Sequence, residues 1–165
     1  MNVFITGFMG VGKTTYGAQL AQVLDYSFID LDAYIEDKEG NTISAIFKGQ
    51  GEDYFRGLEI KYLNQLVKKR NTLISLGGGT ICNTKSLNLV KSKGILICLK
   101  QDWDILYSFL KTTKNRPLVK QLSESTLKQL YTKRGPFYSS AQLEIRINTS
   151  FDGQKVAKML RFINK

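Results

Sequence analysis

Eight residues near the start of the chain, Gly7, Phe8, Met9, Gly10, Val11, Gly12, Lys13 and Thr14, satisfy the pattern G-x-x-x-x-G-K-[ST]. The chemistry of that pattern is phosphate binding. Glycines let successive backbone N–H groups turn towards anionic oxygens, and the N-terminus of a following helix adds its positive end. A lysine at position 13 reaches the β- and γ-phosphates of a nucleotide, and a hydroxyl at position 14 is a hard donor for Mg²⁺. Apolar residues 3–6 precede the segment and a helical pattern follows it, which is the context the motif needs. ATP and Mg²⁺ are therefore the expected co-substrate and cofactor, with Gly10, Val11, Gly12, Lys13, Thr14 and Thr15 as nucleotide contacts. A glycine-rich turn that merely packs would need neither Lys13 nor Thr14.

Three further clusters carry chemistry. Asp30, Leu31 and Asp32 close the second apolar run. Residues i and i+2 of a strand share a face, and ligands of open α/β sheets bind at the carboxyl ends of strands. One carboxylate would then serve a metal shell and the other take a proton from an acceptor hydroxyl. The competing reading is that Asp32 only caps the next helix. In Phe55-Arg56-Gly57-Leu58-Glu59, Arg56 and Glu59 are i,i+3 on a helix, which suits either a functional pair or an ordinary surface ion pair. Gly77-Gly78-Gly79 follows an apolar strand and either admits a ligand close to backbone N–H groups or is a plain loop.

Short apolar runs alternating with helical patterns must hold these clusters. Strands are predicted at 3–6, 27–31, 72–76, 95–99 and 143–147. Helices are predicted at 13–24, 32–38, 42–48, 52–69, 84–93, 102–110 and 152–163, with Thr42 as a cap. Residues 123–140 predict a helix that Gly135-Pro136 bends or interrupts. Strands spaced by helices imply a parallel sheet covered on both faces. The polar stretch 111–121 is the candidate mobile loop.

The bulk numbers set the bounds. A chain of 165 residues suits one domain, and 42% hydrophobic with 23% charged residues is an ordinary globular balance. No run approaches the roughly 18 apolar residues of a membrane span, no signal-peptide pattern opens the chain, and the cytoplasm is the expected compartment. The net charge of +10 fits a pocket for polyanions as well as it fits nucleic acid. The densest basic cluster, Lys68-Lys69-Arg70, closes a helix, and no nucleic-acid motif accompanies it, so no nucleic-acid partner is expected. The chain has no histidine, which excludes His metal sites and Ser-His triads. Two cysteines are too few for a disulfide scaffold, and Cys98 reads as a buried strand thiol. GTPase base-reading and switch motifs are missing, and the short chain suits a compact kinase.

Taken together, the clusters resemble the shikimate kinase family. The phosphate motif, Asp-x-Asp, Phe-Arg-x-x-Glu, Gly-Gly-Gly, Arg116-Pro117-Leu118, and Lys133-Arg134 followed by Tyr138 occur in the family's order and spacing along nearly the whole chain. The resemblance implies an α/β fold with a five-stranded parallel sheet in the order 2-3-1-4-5, flanked by helices and carrying a lid at about 111–121. It implies a single kinase domain over 1–165, with the phosphate loop at 7–14 and a substrate region at about 32–60. The implied reaction is ATP-dependent phosphorylation of the 3-hydroxyl of shikimate; separately from the resemblance, a monomer is expected. Lys13, Asp32 and Arg116 would be catalytic, with Asp32 as base and Arg116 reaching the phosphates from the lid. Thr14, and Asp30 through water, would hold Mg²⁺. Asp32, Arg56, Gly78, Gly79 and Arg134 would bind shikimate, with Glu59 orienting Arg56. Many relatives have an adenine-stacking arginine near position 109. Here Phe109 either stacks instead or joins the apolar face of its helix, and the helix pattern favours the core.

Overall fold

In this computed structural model, residues 1–112, 122–147 and 151–163 are described. Strand β1 (Asn2–Gly7) is buried at every position. It lies between β3 (Thr72–Ser75) and β4 (Gly94–Lys100), and β2 (Ser27–Asp30) and β5 (Leu143–Arg146) form the edges. All pairings are parallel and the order is β2-β3-β1-β4-β5, as the resemblance implies. Central strands covered on both faces read as near-continuous apolar runs, which Val3, Phe4, Ile5, Leu73, Ile74, Leu96 and Ile97 supply with no exposed surface. Each such side chain stabilises the fold by about 1.5–3 kcal/mol relative to leaving it in water.

The covering helices are α1 (Lys13–Leu24), α2 (Leu31–Glu39), α3 (Ile43–Leu66), α4 (Thr84–Lys93), α5 (Trp103–Thr112), α6 (Glu124–Tyr138) and α7 (Gly153–Ile163). Helix α1 sits close on the sheet because Gly17 has no side chain, and a Cβ there would stand 2.8 Å from the Phe28 ring. Its other side packs against α7. Among the described residues no helix is long and apolar enough to cross a membrane. Cys98 has no exposed surface, and burial pushes its thiol up to about 12, so it is an inert core group.

Several element boundaries differ from the sequence expectation. Strand β2 stops at Asp30, and Leu31 and Asp32 already belong to α2. The two helices expected across 42–69 are both present: they carry the single label α3 but are separated at Gly51, whose backbone is not helical (φ +83°) and where a side chain would be strained. Lys68-Lys69-Arg70 lies just beyond the end of that helix rather than inside it. Gly135-Pro136 does not interrupt α6, because a proline in the last turn forfeits a single backbone bond, and the Ser139 N–H still closes on the Gly135 carbonyl at 2.9 Å. Helix α5 extends to Thr112 and takes in Lys111, leaving 113–121 of the expected lid outside the described residues. Phe109 is 53% exposed and not core. The buried stripe of α5 is Leu106 and Leu110, and Phe109 stands about 100° round the helix from Leu110.

Candidate active site

The phosphate motif forms the turn from β1 to α1. Gly12 is the N-cap of α1 with φ +91° and has no side chain with which to cap that helix. No acidic residue stands in its first turn either, so the positive end of α1 is left for an anion. The Lys13 ammonium is folded over the loop, donating to the Gly7 carbonyl at 2.9 Å and the Phe8 carbonyl at 3.1 Å. Leu106 and Leu110 of α5 close against Gly10.

The carboxylates of β2 and α2 divide the work differently from the sequence reading. Asp30, not Asp32, caps α2, accepting from the N–H groups of Asp32 (3.1 Å) and Ala33 (3.3 Å). Its other oxygen accepts from the Thr14 hydroxyl at 2.7 Å. Asp32 is thereby freed from capping. Its Oδ1 is shut off from solvent and has no hydrogen-bond partner among the described residues. Burial, with Asp30 and Glu59 as negative neighbours, pushes its pKa up to about 6 against the pull of Lys13 and Arg56. Perturbed acids of this kind gather where function needs them.

The Gly-Gly-Gly turn after β3 brings these groups together. A Cβ on Gly77 would stand 3.0 Å from Asp32 Oδ1, 3.0 Å from Glu59 Oε1 and 2.9 Å from Thr80 Oγ1. A Cβ on Gly78 would lie 3.4 Å from the Gly7 carbonyl, so this turn borders the phosphate loop. A Cβ on Gly79 would meet Arg56 at 2.8 Å and Arg134 at 3.1 Å. Two guanidinium groups from α3 and α6 therefore converge on one glycine. Like charges so placed repel, and a bound anion relieves that repulsion.

Arg56 is anchored from behind, by Glu59 at 2.6 Å and Glu52 at 2.8 Å. Glu59 is 2% exposed and also accepts from the Thr80 hydroxyl at 2.5 Å. The i,i+3 spacing of Arg56 and Glu59 is thus a pair between a half-buried arginine and a buried carboxylate, not an ordinary surface pair. Glu52 was missed in the sequence although its i,i+4 spacing from Arg56 is legible; Thr80 had no local signal, because its partner is 21 residues away. Arg134 stacks over the Phe8 ring at 5.8 Å. Val11 packs inside the loop, while Thr14 and Thr15 face outward. Arg116 lies outside the described residues.

A parallel sheet with the strand–glycine turn–helix phosphate motif, and with a carboxylate and two arginines gathered around the glycine turn after β3, has the architecture of a P-loop kinase. A family model described as shikimate kinase matches residues 9–164. The shikimate kinase of Sulfurihydrogenibium sp. is 37% identical over 164 residues, covering 99% of this chain and 98% of its own length. The solved shikimate kinase of Acinetobacter baumannii, in complex with shikimate, superposes with a TM-score of 0.87 at 35% identity over 99% of this chain and 92% of its own. That of Bacteroides thetaiotaomicron gives 0.85 at 30% identity, covering 99% and 98%. The chain belongs to the shikimate kinase family, and it is an ATP-dependent kinase.

Proposed function

We propose that this chain transfers the γ-phosphoryl group of ATP to the 3-hydroxyl of shikimate, giving shikimate 3-phosphate and ADP, with Asp32, Arg56, Gly78, Gly79 and Arg134 holding the acceptor. The observation that carries the assignment is that one glycine turn has Arg56 and Arg134 converging on Gly79 and, two residues earlier at Gly77, the Asp32 oxygen that has no partner among the described residues. Two planar guanidinium forks suit a carboxylate, and an acceptor-only oxygen suits a hydroxyl. Shikimate carries both groups on one small ring.

In this reading Asp32 orients the attacking hydroxyl and receives its proton as the new O–P bond forms and the bridging O–P bond to ADP breaks. Its pKa of about 6 leaves it ionised at neutral pH yet basic enough to accept a proton. Gly10–Thr15 hold the phosphates through backbone N–H groups, and Lys13 offsets charge on the transferred group. Arg116, on the segment expected to be the lid, adds a second cation there. Thr14 and, through water, Asp30 would hold Mg²⁺. The donor set fits: both are hard oxygens, they meet at 2.7 Å, and a magnesium ion that keeps its waters and takes phosphate oxygens needs only one or two protein donors. When bound, the ion would neutralise phosphate charge.

A coupled ADP-release assay across shikimate, nucleoside monophosphates and sugar acids tests the assignment. Turnover is expected with shikimate alone, and faster turnover with any other acceptor would refute it. Arg56→Lys and Arg134→Lys are each expected to raise KM for shikimate about 10-fold or more and to leave KM for ATP unchanged, since lysine keeps the charge but loses the planar fork. Unaltered shikimate KM in both would place the carboxylate elsewhere.

A further inference from the structure

Tyr138 has had no part in the site so far. It is 3% exposed and sits one turn after Arg134 on α6, so the two side chains leave the same face of the helix. Its hydroxyl donates to the Gly78 carbonyl at 2.6 Å, across 60 residues of sequence. Arg134 flanks the same turn, beside Gly78 and Gly79. Helix α6 therefore grips the glycine turn twice, once with a charge and once with a buried neutral donor.

The choice of carbonyl matters. In this turn the Gly77 carbonyl accepts from the Thr80 N–H and the Gly79 carbonyl from the Cys82 N–H. The Gly78 carbonyl takes no part in that local pattern, and its close donor is Tyr138; the Cys82 thiol stands 4.0 Å away. A peptide unit is planar and trans, so fixing the Gly78 C=O fixes the Gly79 N–H on the opposite side of the same plane. Between two glycines no side chain opposes rotation of that plane. Among the described residues the Gly79 N–H has no acceptor. It belongs to the glycine where Arg56 and Arg134 meet, which leaves it available as a third donor in their neighbourhood.

We propose that Tyr138 is a positioning residue for the acceptor: it locks the Gly78–Gly79 peptide so that the Gly79 N–H stays presented beside the two arginines. The inference rests on the acceptor site proposed above. Burial holds the Tyr138 phenol well above the ordinary tyrosine range, against the pull of Arg134, so it stays a donor at working pH.

Tyr138→Phe keeps every buried carbon and deletes only the donor. A net hydrogen bond of about 0.5–1.5 kcal/mol corresponds to roughly a 2- to 13-fold change in an equilibrium. KM for shikimate is expected to rise about 3- to 10-fold by that scale, with KM for ATP within about twofold and nucleotide-free melting lowered by no more than the few degrees that one buried hydrogen bond is worth. A purely structural tyrosine would change the melting temperature alone and leave the two KM values in their original ratio, and that unchanged ratio would overturn the proposal. Arg134→Lys serves as the control. If it raises shikimate KM and Tyr138→Phe does not, the positioning role is wrong and the acceptor site stands; if neither does, the site itself is misplaced and the role falls with it. In the double variant the two effects should combine to less than their product, because both act through one turn; full multiplicativity would also count against the proposal.

Discussion

Asp32→Asn is expected to lower kcat about 10²-fold while ATP affinity stays nearly unchanged. A positioned base contributes roughly 10²–10⁴-fold, and the low end applies because phosphoryl transfer draws most of its rate from positioning and charge. Asparagine keeps the shape and the orienting oxygen but cannot take the proton. A loss below about threefold would remove Asp32 from the base role. The same residue predicts the pH dependence. In the free enzyme its pKa is near 6, so kcat/KM for shikimate should fall as pH drops below that value. Stability carries the opposite sign. The folded chain holds the Asp32 proton from its ordinary 3.8 up to about 6, so this group's stabilising contribution is full below the first value and lost as pH rises through the second. Wild type and Asp32→Asn should melt alike near pH 4, and the variant should melt higher at pH 8. At this chain length each kcal/mol is worth about 2–4 °C. A variant that is less stable at pH 8 would mean that the buried charge is compensated and the carboxylate is structural.

The phosphate loop was legible because its pattern is local: a strand, a glycine turn and a helix within 14 residues fix one another. The sheet order was not a product of periodicity; it came with the resemblance, and the pairings show it. Asp32 was selected for an inexact reason. By its i,i+2 spacing Asp32 reads as a strand residue, whereas Asp30 ends β2 by capping α2, and that cap leaves the Asp32 carboxylate uncommitted to the helix terminus. Phe109 failed because Leu106 and Leu110 already fill the buried stripe of α5. Thr80 had no local signal and Tyr138 entered only as part of the resemblance, for a common reason: their partners, Glu59 and Gly78, are brought to them only by the packing of α3 and of α6 against the glycine turn after β3. Charge pairs within one helix, such as Arg56 with Glu59, can be read from spacing, but only the fold shows that Glu59 is buried and so anchors the arginine rather than decorating the surface.

Replacing Lys13 with methionine is expected to have the largest effect on turnover. The ammonium rests on the Gly7 and Phe8 carbonyls at the mouth of the cradle, so it is already held where phosphate oxygens would arrive. Removing one preorganised donor to developing charge costs about 10²–10³ in kcat, and Lys13 brings a full charge as well as a donor, so a loss towards the upper part of that range is expected. Methionine keeps the length and apolar stem, and Lys13 is a loop-edge residue, so nucleotide-free melting should change little. The rise in melting temperature that ATP produces should shrink, because ligand stabilisation follows affinity. A further readout ties the two halves of the site together. Lys13 is one of the two cations that hold the Asp32 pKa down against burial and its acidic neighbours. Without it, that pKa should move above 6, and the acid limb of the kcat/KM profile should shift to higher pH along with it. The limb is traced from the residual activity of Lys13→Met at saturating ATP and shikimate below its KM. A profile unmoved from wild type would show that the lysine charge is not felt at the acceptor carboxylate, and near-normal turnover would show that the cradle's backbone N–H groups suffice for the phosphate charge.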